Sequence, residues 1–574
     1  MPLTAQLRQD IEVIRNYLFG GGYPDPVTNA EQLAFLFFFY LAEGLDTQAQ
    51  ARARLMKQSA DNIYVGDWKL RNPLNAPALG GSDTISRDRF RWSQWARALT
   101  GENLVRFLRD EVFPFYAEVA GRSAVNFMDG ARLVIDEPVV LTQVIGKVDG
   151  LRLDEADADT KGDLFEHVLK QIKTAGELGQ FRTPRHIIRV VVAMLDPKIG
   201  ETCYDPAAGT AGFLVAVFDH IKLSNSTPDG VETVDIDGKR IPRGNGNALS
   251  AAKWRVLQEQ TFFGNDVDPK MVRLATMNLT LRGLPNVRIR QRNVLTTSLD
   301  AEAKRELGLP ADGHHVIAAN PPFSGRLDKD RISEDVKVGT STATEILFIK
   351  YMLDSLLPDG RCGVIVPEGV LFGSTGAHKE LRRQLIENNR VEAVLSLPGG
   401  VFQPYSGVKT SVLFFRKGGS TDKVLFLHAD NDGYKLDANH DSPIEADDLP
   451  GLVAVYREKE ANFATWQVRD PAAEWTAQWW FADAATLRAN DFNLSAGRYR
   501  PLSQSAVAHR DPRELLDELA AIEAEIVEEV EALRAALGTS FSQFSLNQAM
   551  RGLENEPTAY TLDDLKEVWP EPGA

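Results

Sequence analysis

The hydrophobic positions of this chain change their period part-way along it. Up to about residue 150 they recur at helical spacing and predict helices near Ala5–Leu18, Asn29–Leu45 and Gly101–Val119, with the Gly-, Pro- and Asn-rich stretch Asn72–Asp83 as a loop between them. The run Leu33–Ala42 (LAFLFFFYLA) is too short to span a bilayer and reads as a buried helix. A further helical stretch, Thr160–Lys173, leads to Gly179-Gln180-Phe181-Arg182-Thr183-Pro184. From there short apolar runs alternate with helical segments. Strands are predicted at Cys203-Tyr204, Thr261–Gly264, Val287–Arg290, His315–Ala319, Cys362–Val366, Val391–Leu397 and Ser411–Phe415. Helices are predicted at Gly212–Ile221, Pro269–Arg282, Glu345–Leu357 and Leu381–Asn388. Such alternation argues for an α/β fold: an open, mostly parallel sheet with helices on both faces. Residues 223–250, rich in Gly, Asp, Asn and Pro, read as a surface insertion. Near the end, Asp511-Pro512-Arg513-Glu514 has the pattern of a helix start, and Leu515, Leu519, Ile522, Ile526, Val530, Leu533 and Leu537 then share one face before Gly538. That face either packs on its own domain or forms a seam with another chain.

Composition adds constraints. With 574 residues the chain is long enough for two or more domains, and 43% hydrophobic and 25% charged residues are ordinary for a globular protein. Cys203 and Cys362 lie inside apolar strand-like runs and read as reduced core residues of a cytoplasmic protein. They lack metal-ligand spacing and no His cluster is evident, so no metal is expected. No signal peptide or membrane segment is expected. The net charge of −16 is unusual for a protein that binds DNA alone. Either a basic face is local, or a partner supplies most phosphate contacts. Arg182, Arg185, Arg189, Arg326, Lys329 and Arg331 are candidates for such a face, or simply for a solvated charged surface.

The chemistry centres on Asn320-Pro321-Pro322-Phe323, which follows the apolar run ending at Ala319. The Asn320 side-chain carbonyl and the Pro321 carbonyl can both accept hydrogen bonds from a planar amino group, and Pro321 and Pro322 remove competing backbone donors. Phe323 offers a flat face on which a base extruded from its duplex could stack. Asp205-Pro206-Ala207-Ala208-Gly209-Thr210-Ala211-Gly212-Phe213 lies between a strand and a helix, where glycine permits close approach of backbone to ligand. Asp266 follows the next strand, where a carboxylate can accept from ribose hydroxyls, and Asp268 reads as the cap of the helix that follows. The loop lacks the Gly-Lys-Ser/Thr ending of a triphosphate site, so a nucleoside without a triphosphate is preferred.

With these residues in hand, the chain resembles the modification (M) subunits of type I restriction-modification systems, which are S-adenosylmethionine-dependent adenine-N6 DNA methyltransferases. The resemblance runs from about Lys161 to Lys417. It implies a Rossmann-like methyltransferase domain at 156–505, between a helical N-terminal domain at 1–155 and a C-terminal helical tail at 506–574 for subunit contact. Gly179, Gln180, Phe181, Arg182 and Thr183 look like the motif at the methionine end of the cofactor. Asp205, Ala207, Gly209, Thr210, Ala211 and Gly212 look like the first cofactor motif, Asp266 like its ribose carboxylate, and Asn293 stands where an Asp or Asn contacts the cofactor adenine. Asn320 to Phe323 is similar to the catalytic motif, and Leu397–Phe402 and Gly407–Ser411 resemble a later signature. Ala208 and Ala211 replace residues that are often Cys or Gly, which implies a tighter loop. The partners implied are DNA, a separate specificity subunit, a second M subunit and a restriction subunit. Cytosine-N4 methylation and glutamine methylation of a protein are the alternatives that the tetrapeptide alone leaves open, and motif order favours adenine.

Overall fold

The computed structural model describes residues 5–55, 62–120, 128, 130–170, 183–284, 287–323, 325–403, 407–437, 440–501, 523, 524 and 527. Two compact units divide the chain: 1–472 with 476–501, and 473–475 with 502–574. In the second, Glu523, Ala524 and Val527 are helical; otherwise the predicted C-terminal helix lies outside the described residues.

In the first unit the N-terminal region is helical, as its apolar period demands. Helices Ala5–Gly20 and Pro26–Leu55 are followed by a helical run from Gly101 to Ala120 that passes through a π-helical turn at Leu108–Val112. Phe35, Phe39, Phe90, Phe115 and Tyr116 pack at the centre of this region, with Phe90 and Phe115 stacked at 4.0 Å. Each such fully buried ring contributes roughly 1.5–3 kcal/mol through burial. The π-turn places Glu111 in the interior, fully buried. Its carboxylate accepts from Trp68 Nε1 (2.9 Å), from the backbone N–H groups of Arg71 (3.0 Å) and Asn72 (2.9 Å), and from Asn75 Nδ2 (3.1 Å). The stretch predicted as a loop after Asn72 is thereby held in a short 3-10 helix, Pro73–Leu79.

The sheet has nine strands: β1 Cys203–Asp205, β2 Phe262–Asp266, β3 Arg288–Gln291, β4 His314–Ala319, β5 Leu356–Pro367, β6 Arg390–Ser396, β7 Thr410–Arg416, β8 Lys423–His428 and β9 Trp479–Asp483. Their order is β9-β8-β6-β7-β5-β4-β1-β2-β3. Pairing is parallel from β3 through β2, β1 and β4 to β5. Beyond β5 the antiparallel β7 is wedged between β5 and β6, and β9 closes the far edge antiparallel to β8. The parallel sheet predicted from sequence is therefore parallel where the site lies and mixed elsewhere. Val316–Ala319 and Val364–Val366 are buried, which accounts for the unbroken apolar runs seen in sequence.

The chain leaves β1 outward to β2 and β3, then returns to lay β4 on the other side of β1. In open α/β sheets the crevice at the carboxyl ends of two such strands is where ligands bind. The loops after β1 and β4 carry Asp205–Gly212 and Asn320–Phe323 to that crevice. The helical region is joined to the sheet region through a helix. The helix Pro269–Leu281, which follows β2, lends Met271, Leu274, Met277 and Leu281 to the N-terminal aromatic cluster.

Within the insertion at residues 223–250, Val231–Ile236 and Lys239–Gly244 form an antiparallel hairpin. Its polar, turn-forming composition concealed two short strands whose residues are mostly exposed or half-buried.

Candidate active site

A cavity of about 560 Å³ opens at the crevice. Thr183, Asp205, Ala207, Gly209, Thr210, Gly212 and Asn320 all line it. Residues far apart in sequence thus meet at one cavity, while Gly179, Gln180, Phe181 and Arg182 lie outside the described residues.

The loop after β1 is built by backbone geometry. Gly209 (φ +51°) and Ala211 (φ +64°) both adopt the left-handed conformation. Glycine reaches it freely, whereas alanine costs roughly 1 kcal/mol there. The loop is accordingly tight: Ala211 N–H donates to the Ala208 carbonyl at 2.7 Å. Gly264 in β2 makes room for it, since a Cβ there would lie 2.8 Å from Ile289 Cδ1 and 3.2 Å from Ala208 Cβ. From behind, Asn278 Nδ2 donates to the Thr210 carbonyl (2.9 Å) and to Glu166 Oε1 (2.6 Å). Arg185 donates to the other Glu166 oxygen at 2.8 Å. Arg185 is therefore engaged in bracing this loop, which removes it as a ready phosphate contact. Glu166 and Asn278 went unremarked in the sequence because a polar residue inside an amphipathic helix carries no local mark of its partner.

Asp205 is buried and accepts from the Ala207 N–H (3.0 Å). Burial pushes its carboxyl up to about 8, the Ala207 hydrogen bond opposes this, and Asp266 adds to it. Burial likewise raises Asp266. Two acidic groups lie close enough for one to raise the other, and no basic side chain among the described residues lowers either, a setting that a positively charged ligand would suit.

Asn320 supplies the other half. Its Nδ2 donates to Thr183 Oγ1 (2.9 Å), and its Oδ1 is buried with no hydrogen-bond partner. A buried amide oxygen left unpaired is costly and is retained here at the cavity wall. The oxygen is an acceptor awaiting a donor. Phe323, half-buried, meets Phe402 edge-on at 6.0 Å and 85°. Phe402 ends the Leu397–Phe402 signature, whose position is thereby explained.

The catalytic and cofactor features coincide with a family match. Residues 156–506 match the model of the N-6 DNA methylase family. The chain belongs to that family. It is an adenine-specific DNA methyltransferase, and the cytosine-N4 and glutamine alternatives fall away. The methylase subunit of the type I restriction enzyme EcoEI from Escherichia coli is 29% identical over 476 residues, 79% of this chain and 87% of that subunit. The EcoKI methylase subunit from Escherichia coli K12 is 31% identical over 297 residues, half of each chain. A solved chain from a type I R-M system superposes with a TM-score of 0.63 at 25% identity, covering 94% of this chain and 99% of that one.

Other expected site residues of this N-6 DNA methylase are not among those lining the cavity. Asp266 Oδ2 accepts from the Gly209 N–H (2.9 Å) and its Oδ1 from the Asp268 N–H (2.9 Å), tying the end of β2 to the loop after β1. Each oxygen keeps a lone pair for a further donor. Asp268 caps the helix Pro269–Leu281, accepting from Lys270 N–H at 2.8 Å. Asn293 uses its Oδ1 in a turn, accepting from Leu295 N–H (3.1 Å), so its amide hydrogens are the group left for a ligand. Among the described residues no helix is long and apolar enough to cross a membrane.

Proposed function

We propose that this N-6 DNA methylase uses S-adenosylmethionine, and that Asn320 acts on the exocyclic amino group of an extruded adenine. The observation that carries the proposal is the unpaired, buried Oδ1 of Asn320, oriented by Thr183 and set at the wall of a cavity that also holds the Gly209–Gly212 loop. The residues fit the cofactor: among the described residues no basic side chain lowers Asp205 or Asp266, and the tight loop presents backbone to a nucleoside-sized space. Asp205, Ala207, Gly209, Thr210, Ala211 and Gly212 would hold it, with Asp266 and Asn293 at its nucleoside end and the Gly179–Thr183 segment at its methionine end. Bound there, it supplies a methyl group on a positively charged sulfur.

The chain's own part is electrostatic and positional. Asn320 Oδ1 and the Pro321 carbonyl accept from the amino hydrogens of adenine, which localises the nitrogen lone pair and stabilises positive charge as it develops on N6. Phe323, backed by Phe402, stacks on the base. The remaining acceleration comes from holding both reactants in line. Target reading belongs to a separate specificity subunit, with a second M subunit and a restriction subunit completing the assembly in the cytoplasm; the net charge of −16 supports such a division. Asn320→Ala is expected to lower kcat by about 100-fold or more. Its affinity for S-adenosylmethionine, measured by calorimetry, should stay within about threefold. Full transfer activity in that variant would refute the assignment.

A further inference from the structure

Away from the reaction centre, the fold gathers three side chains that sequence spacing kept apart. His186 lies on the helix Arg185–Leu195, while Asp432 and His440 lie beyond β8. Their ligating atoms all lie within 4.8 Å of one another, and all three side chains are largely or fully buried. His186 Nε2 is 2.9 Å and His440 Nε2 2.8 Å from the same oxygen, Asp432 Oδ2. The other carboxylate oxygen accepts from the Tyr434 N–H at 3.2 Å.

The hydrogen positions decide what this cluster needs. His440 Nδ1 lies 3.1 Å from the Val401 carbonyl, which can only accept. Nδ1 therefore carries the hydrogen, and a neutral ring presents a bare lone pair at Nε2. That lone pair lies 2.8 Å from a carboxylate oxygen, which is repulsive. A proton on Nε2 would relieve the repulsion only if it pointed at Oδ2. At 2.8 Å the two atoms are in contact but poorly aligned for a hydrogen bond, and Nε2 is buried. A cation placed off that line satisfies both atoms. The backbone carbonyl on Nδ1 is the outer-shell partner that ligating histidines commonly have.

We propose that His186, Asp432 and His440 bind a divalent transition-metal ion, zinc by the character of the donor set. Two imidazoles and one carboxylate are borderline donors that suit zinc better than magnesium or calcium. The ion would fasten Asp432 and His440 to the helix that begins just after Thr183. Through Val401 it would also steady the neighbouring Phe402, the ring that backs Phe323. Its role is structural, since none of the three side chains lines the cavity that holds Asn320.

The test is metal analysis of the full chain purified without a histidine tag. Mass spectrometry of the elements should find close to one transition-metal ion per chain, and far less in Asp432→Asn and His440→Gln. Chelator-stripped protein should regain thermal stability when zinc chloride is added, and the two variants should not. If neither variant folds, the wild-type metal content and its response to zinc still decide. Metal-free wild-type protein whose melting temperature is unmoved by zinc overturns the proposal. So does an equal rise in a folded His440→Gln variant, which would show adventitious surface binding.

Discussion

Thr183→Val separates two roles for one residue. Sequence motifs place Thr183 among cofactor contacts, whereas the structure shows its hydroxyl holding the amide of Asn320 at 2.9 Å in a nearly fully buried setting. Valine keeps the shape and removes the hydroxyl. The Asn320 amide then loses the partner that favours one of its two flipped orientations, and only one of them presents Oδ1 to an incoming amino group. A neutral hydrogen bond contributes about 0.5–1.5 kcal/mol. Carried into the barrier at 1.36 kcal/mol per tenfold, that predicts a kcat about 2- to 13-fold lower. Single-turnover methyl transfer measures it, and calorimetry measures cofactor affinity in parallel. Thr183→Ser should retain most of the rate because it keeps the hydroxyl. An unchanged rate in Thr183→Val would refute the reasoning. A loss confined to cofactor affinity would return Thr183 to the role that the motif alone suggests.

Other predictions follow from buried groups. The Asp205 carboxyl is raised to about 8, so the ligand-free protein holds a proton there that the unfolded chain releases near 4. That contribution to stability is complete below the unfolded value and is lost as pH rises towards 8. Thermal scans should therefore show Asp205→Asn gaining on the wild type between pH 5 and pH 8 and holding its lead above, while its affinity for S-adenosylmethionine falls; parallel curves would contradict this. Glu111→Ala strands four N–H donors in the interior and should lower stability by about 3–5 kcal/mol in denaturant titration, with loss below 1 kcal/mol as the refuting result.

Much of this was legible in the sequence, for identifiable reasons. Strands buried on both faces, such as His314–Ala319 and Thr410–Arg416, announce themselves as apolar runs. The site motifs fall where strands end, so their order along the chain maps onto the switch point between β1 and β4. What escaped was non-local. The outer strands Lys423–His428 and Trp479–Asp483 carry no motif to draw attention to them. The bracing of the loop by Glu166 and Asn278 depends on packing between elements, as does the approach of Phe402 to Phe323. His186 and Asp432 are 246 residues apart, a separation at which no spacing rule operates.

Methyl transfer to adenine N6 by way of Asn320 is tested most directly with labelled S-adenosylmethionine, DNA, and this chain with and without a specificity subunit, followed by digestion of the DNA to nucleosides. Label in N6-methyladenine, dependent on the partner and lost in Asn320→Ala, is the predicted result. Label in another nucleoside, or undiminished N6-methyladenine from Asn320→Ala, would contradict it.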